Sequence, residues 1–138
     1  MNSDWAKNLA DRKKSELEVK RLQQEKDVND RKLLDANADK MWVEVRRAAA
    51  GFCRELNSSM GSDYIKFEGA SYHNSFTLIT PETTYTVTFN PQTWLLSAQG
   101  STYTLIVADG NAVIWKHAEG TTMPSESVAQ TIVGSAFR

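Results

Sequence analysis

The chain has few of the residues that cross-link or interrupt small folds. A single cysteine, Cys53, stands among 138 residues, and the three prolines all come after residue 80. One cysteine excludes an intramolecular disulfide and is typical of a protein from a reducing compartment. The first 60 residues contain one glycine, Gly51, and no proline, so neither residue type enforces a helix break near residues 35–37.

Long apolar runs and a surplus of one charge are also missing. No apolar stretch approaches the roughly 20 residues of a membrane span, and residues 1–10 lack the apolar segment of a signal peptide. The 16 Lys and Arg and the 17 Asp and Glu give a net charge of −1. Non-specific nucleic-acid binding gains its affinity from surplus Lys and Arg residues that contact the phosphates. The near-equal numbers of basic and acidic residues therefore argue against it. We therefore expect a cytoplasmic protein with no membrane insertion and no nucleic-acid partner.

What is present divides the chain near Gly61 into two unlike halves. The first 60 residues hold 13 of the 16 Lys and Arg and 11 of the 17 Asp and Glu. After Gly61, short alternating runs of Thr, Ser, aromatic and branched residues take over. The pattern predicts an α+β protein with a long N-terminal helical segment, an antiparallel β-meander of five to six strands, and a C-terminal helix packed on the sheet.

The strongest periodic pattern runs from about Asn37 to Met60. Apolar residues recur there at intervals of four and three, as on the buried face of a helix. Gly61 favours a left-handed exit, so the helix is predicted to end near Met60. Asp35 or Asn37 could cap a separate start, which leaves a break at 35–37 as an alternative. The apolar stripe consists of Leu34, Ala38, Met41, Val45, Ala48 and Phe52, widened by Trp42, Ala49, Cys53 and Leu56.

Residues 1–35 are predicted to form a charged helical arm, and residues 36–138 a single α+β domain. The apolar stripe does not continue into residues 4–33, which carry oppositely charged residues four positions apart, such as Arg21 and Glu25. An unbroken helix from Asp4 to Met60 would be about 85 Å long at 1.5 Å per residue. We therefore expect the arm to meet a second chain, to fold back as a hairpin, or to be disordered in its first turns.

The second half alternates with a period of two, which predicts an antiparallel sheet with one apolar face and one face of hydroxyl residues. Asp109 and Gly110 are expected to supply the positive φ values of a primed hairpin turn. A terminal helix is predicted from about Pro124 to Ala136. The predicted strands are Tyr64–Glu68, Asn74–Thr80, Thr83–Asn90, Thr93–Gln99, Ser101–Ala108 and Ala112–Ala118.

Candidate catalytic chemistry is sparse. The two histidines, His73 and His117, are far apart in sequence and do not form a cluster of metal ligands. Cys53 belongs to the apolar stripe, where a thiol behaves as a small hydrophobe. The glycines are isolated, so no phosphate-binding loop is formed. We predict no catalytic residue, no metal site and no cofactor, and hence a protein that is not an enzyme.

Two functional hypotheses follow. The leading one is a non-enzymatic module for protein interaction or self-assembly, in which the arm docks on a protein partner or on a second copy in a homodimer. Trp5 lies beyond any core pattern, and Trp is a frequent interface anchor. The predicted partner-binding residues are Trp5, Leu9, Leu17, Leu22 and Val28.

The alternative is a small apolar-ligand binding protein with a pocket between the sheet and a helix. The predicted ligand-binding residues are Phe76, Tyr85, Tyr103, Trp115 and His117. An enzyme that uses His73 or His117 ranks last, because it would need a cleft that brings an acid beside one of these histidines.

Overall fold

The computed structural model describes residues 3–69 and 74–138, which form two α-helices and one seven-stranded sheet. The long N-terminal helix, the antiparallel sheet and the C-terminal helix packed on the sheet confirm the predicted α+β class. The sheet has one strand more than the five to six expected, a two-residue strand just before the last helix. The elements are α1 (Ser3–Met60), β1 (Lys66–Glu68), β2 (Ser75–Ile79), β3 (Thr84–Asn90), β4 (Leu95–Ala98), β5 (Ser101–Ala108), β6 (Ala112–His117), β7 (Thr122–Met123) and α2 (Ser125–Phe137).

Helix α1 ends at Met60, as the sequence predicts. Gly61 has a φ of 72°, in the left-handed region where glycine carries no steric penalty. The Ser62 amide donates to the Asn57 carbonyl at 3.2 Å, and the Gly61 amide donates to the Ser58 carbonyl at 3.3 Å. These two bonds satisfy carbonyls that the end of a helix leaves open.

The alternative of a helix break at 35–37 is wrong, because α1 runs through these residues. Neither candidate side chain caps a helix. The Asn37 amide donates to the Leu33 carbonyl one turn earlier, and the Asp35 carboxylate accepts from the Trp94 indole at 3.1 Å. With both side chains engaged elsewhere and no proline present, the helical hydrogen bonding continues.

Two compact units are distinguished along the chain. We call residues up to Lys32 the N-terminal unit and Leu33–Arg138 the core unit. In the N-terminal unit, every side chain from Asp4 to Asn29 is exposed. The buried apolar side chains belong to the core unit, where Leu34 is the first along the chain.

The sheet is a meander in which each strand pairs antiparallel with the next, in the order β1 to β7. Its buried face packs against the core-unit part of α1, where Trp42 stacks on Phe76 and Phe89 with ring centroids 5.6 and 5.4 Å apart. Helix α2 packs on β2 and β6 and buries Val128, among other residues. The opposite face of β3 exposes Thr84, Thr86 and Thr88. The alternation of apolar and hydroxyl residues therefore assigns the two faces as expected.

Two local details differ from the sequence prediction. At the β5–β6 hairpin, the positive φ values belong to Gly110 (77°) and Asn111 (61°) rather than to Asp109, and Ala108 pairs with Ala112 across three loop residues. Strand β4 begins at Leu95 instead of Thr93, because Trp94 has a φ of 56°. A bulky residue in the left-handed region is strained, and tertiary contacts hold it there.

Candidate interaction surface

The N-terminal unit exposes most of the large apolar side chains found on the surface of the described residues. Six lie between positions 5 and 28, and the seventh is Met60 in the core unit. The exposed fractions are 65% for Trp5, 45% for Leu9, 54% for Leu17, 66% for Val19, 52% for Leu22 and 56% for Val28. All five predicted partner-binding residues are therefore accessible. Val19 was not among them, although it stands in the same charged run.

These side chains do not form one continuous stripe along the helix. At 3.6 residues per turn, Trp5 and Leu9 share one face, because they are four positions apart. Leu17 and Val28, eleven positions apart, share a second face, whereas Val19 lies between the face of Trp5 and the position of Leu22. A long two-stranded coiled coil needs a single seam with a period of 3.5 residues. The arrangement favours short, separate contacts, of which the Trp5–Leu9 pair is the one with an aromatic anchor.

Charged side chains of the N-terminal unit pair along their own helix. Arg21 binds Glu18 and Glu25, and Lys26 lies 2.7 Å from Asp30. The hydrogen bonds that Arg21 donates to Glu18, followed by the charge of Glu25, raise the pKa of the Arg21 guanidinium above its usual value. Ion pairs three and four residues apart support a helix in water. They account for the helix but not for the apolar side chains exposed between them.

A groove lies between α1 and α2 in the core unit, and we call it the α1–α2 groove. It consists of two adjoining pockets of about 550 and 360 Å³, which share Phe52 and Glu55. The larger pocket is lined by Glu44, Arg47, Ala48, Gly51, Phe52, Glu55, Pro124, Ser125 and Glu126, and the smaller by Phe52, Glu55, Leu56, Ser59, Gln130, Val133, Gly134 and Arg138. Sequence reasoning missed this groove. The sequence feature that could have indicated the groove is Gly51, the one glycine in the long helical segment.

The residues of the ligand-binding alternative lie in or beside the buried face of the sheet. Phe76, Tyr103 and Trp115 are at most 1% exposed, and the Tyr85 hydroxyl donates to the Ala98 carbonyl at 3.3 Å. His117 is half-buried and meets the Tyr103 ring edge-on, with centroids 5.0 Å apart. Both pockets of the α1–α2 groove are lined by other residues. The apolar-ligand hypothesis therefore stays a prediction.

Two further candidate reactive groups, the Cys53 thiol and the His117 ring, are engaged in the structure of the core unit. Cys53 is buried, and desolvation raises its thiol pKa to about 11, so the thiol is neutral at neutral pH. The His117 ring accepts a hydrogen bond from the Glu119 amide at 3.1 Å. His73 lies outside the described residues. Within residues 3–69 and 74–138, no three His, Cys, Asp or Glu side chains are grouped to hold a metal ion.

In the part of the chain that the structure describes, neither helix is both long and apolar enough to span a bilayer. No protein-family model, curated protein or solved structure matches the chain. The geometry of its surfaces is therefore the evidence that bears on its function.

Proposed function

We propose that the chain is a non-enzymatic, cytoplasmic module for protein interaction or self-assembly, in which the N-terminal unit docks on a protein partner or on a second copy in a homodimer. The contact residues are Trp5, Leu9, Leu17, Leu22 and Val28. The observation that carries the proposal is the concentration of exposed large apolar side chains between positions 5 and 28. The lone cysteine supports the cytoplasmic assignment.

The energetics favour burial of these side chains. Full burial of a large apolar side chain is worth about 1.5–3 kcal/mol, and each of these residues exposes about half of its surface. Each contact would then contribute roughly 1 kcal/mol, and several together offset part of the entropy lost on association. Trp5 offers the largest contact area of the set and an indole N–H that can bond at the edge of an interface.

Solution mass tests this proposal. We expect light scattering after size exclusion to give a dimer or larger for the full chain, and a monomer for the double variant Trp5→Ala with Leu9→Ala. The matched control is Asn8→Ala with Ser15→Ala, which changes two exposed polar residues of the same helix and leaves the mass unchanged. Self-association is ruled out if the full chain is a monomer over a wide concentration range, and a contact through Trp5 and Leu9 is ruled out if their double variant keeps the mass of a dimer.

A further inference from the structure

We propose that the larger pocket of the α1–α2 groove receives the N-terminal unit of a second copy of this chain, with Trp5 and Leu9 entering the pocket. This inference rests on the proposed function, since it assigns a receiving surface to the same exposed side chains. Three observations carry it: the shape of the pocket, its helical glycine, and the charges around it.

The pocket has the dimensions and the floor that an aromatic anchor needs. It is an open depression with a volume of about 550 Å³, comparable with the roughly 300–1,000 Å³ of sites that bind small ligands. That range accommodates an indole and an adjacent leucine side chain. Ala48, Gly51 and Phe52 form the apolar part of its α1 wall, and Phe52 is only half-buried. An inserted side chain would complete the burial of Phe52.

Gly51 is not required by packing within the core unit. Glycine inside a helix costs about 1 kcal/mol relative to alanine. A Cβ at Gly51 would have Arg54 Nη2 as its nearest neighbour, at 3.8 Å, which is an ordinary contact. Gly134, which lines the adjoining pocket from α2, is in the same situation, with Arg138 Nη2 at 3.8 Å. Both helical glycines line the groove, where a large side chain would occupy its space.

The charges of the two surfaces are complementary. Three carboxylates and one guanidinium line the larger pocket, for a net charge of −2. Residues 4–14, which surround Trp5 and Leu9, carry four basic and two acidic residues, for a net charge of +2. Opposite charges steer the approach of two surfaces and fix their register. The basic residues are Lys7, Arg12, Lys13 and Lys14, and the pocket acids are Glu44, Glu55 and Glu126.

Each chain carries one donor surface and one receiving pocket. When two chains exchange their N-terminal units reciprocally, both pockets are filled and the assembly closes as a two-fold dimer. In a reciprocal dimer, both N-terminal units and both pockets are occupied, so no site is left for a third subunit. The same contacts made one way only would extend into a chain of subunits.

Filling the pocket in the full-length chain tests the inference. We expect Gly51→Leu to occupy the pocket and to weaken the dimer at least tenfold in dissociation constant, measured by sedimentation across a dilution series. Gly51→Ala is the matched control: it gives the helix the same gain in propensity but leaves the pocket open, and it dimerises like the unmodified chain. Circular dichroism checks that both variants are folded. A second variant, Glu55→Lys with Glu126→Lys, changes only exposed side chains and is expected to weaken the dimer as well.

Mixing variants separates this inference from the proposed function. The Gly51→Leu chain retains its N-terminal unit, and the Trp5→Ala, Leu9→Ala chain retains its pocket. We expect each variant alone to be a monomer and the mixture to form a heterodimer through the one intact contact. If the Trp5 and Leu9 variant is a monomer but the Gly51→Leu and Glu→Lys variants remain dimers, the pocket assignment is overturned and the proposed function stands. If the Trp5 and Leu9 variant remains a dimer, the pocket assignment and self-association through Trp5 and Leu9 both fail.

Discussion

At the scale of single residues, Ser125 is the polar contact that joins three elements of the core unit. Its hydroxyl accepts from the Trp115 indole N–H at 2.9 Å and donates to the Met41 carbonyl at 3.3 Å. Trp115 is fully buried, and Ser125 is 4% exposed. A buried N–H without an acceptor carries its full desolvation cost. The Ser125 hydroxyl therefore contributes more to stability than its small size suggests.

We predict that Ser125→Ala lowers the free energy of unfolding by about 1–3 kcal/mol, because the fully buried Trp115 indole loses its acceptor. Urea unfolding followed by tryptophan fluorescence measures the effect. Ser127→Ala, two positions further along α2 and half-buried, serves as the control and is expected to change stability by no more than about 0.5 kcal/mol. Equal effects of the two substitutions would contradict this role for Ser125.

At the scale of elements, the bond between Asp35 and Trp94 ties α1 to the connection between β3 and β4. The two residues are 59 positions apart in sequence. Trp94 also accepts a hydrogen bond from the Leu105 amide through its carbonyl, at 2.9 Å. These contacts hold Trp94 at its positive φ, and they fix where β4 begins.

Removing the Asp35 carboxylate tests this link. We predict that Asp35→Ala destabilises the core unit by about 0.5–1.5 kcal/mol relative to Asp39→Ala, because both changes alter helix propensity equally and only the first removes a hydrogen bond. Asp39 lies one turn further along α1 and is also exposed. The midpoints of urea unfolding give the difference. Identical midpoints would show that the Asp35–Trp94 bond contributes nothing to stability.

At the scale of the whole molecule, the two units have different sources of stability. The core unit buries a large apolar cluster between its helices and the sheet, whereas the N-terminal unit from Asp4 to Asn29 exposes all its side chains and has ion pairs along one helix. A packed core unfolds as one cooperative step, and a solvated helix melts gradually.

We therefore predict two thermal profiles from one dilute sample. The helical signal at 222 nm should begin to fall gradually before the near-ultraviolet signal of the buried tryptophans, which should disappear in one sharp transition. A shortened chain that starts at Leu33 should lose the gradual phase and keep the sharp one. Coincident profiles for the full chain would show that the two units unfold together.

Sequence patterns anticipated those features that depend on neighbours along the chain. Val45 and Ala49 are buried where the helical period placed them, and Gly61 ends α1 through bonds to residues within one turn. The exposure of Trp5 and its apolar neighbours was also foreseen, because a charged run offers them no local core. These predictions succeed because helical hydrogen bonds span four residues and strand alternation spans two.

Only the tertiary structure decided the features that are formed by residues distant in sequence. The strained backbone of Trp94 is an example, because its indole bonds to Asp35, 59 positions away. Gly51 and Glu126 line the same pocket of the α1–α2 groove, and neither residue's local sequence indicates the other. The sequence by itself determined which elements form and which faces are apolar, since those follow from short-range periodicity. The tertiary structure decided which surfaces remain exposed, because exposure depends on how elements distant in sequence pack on one another.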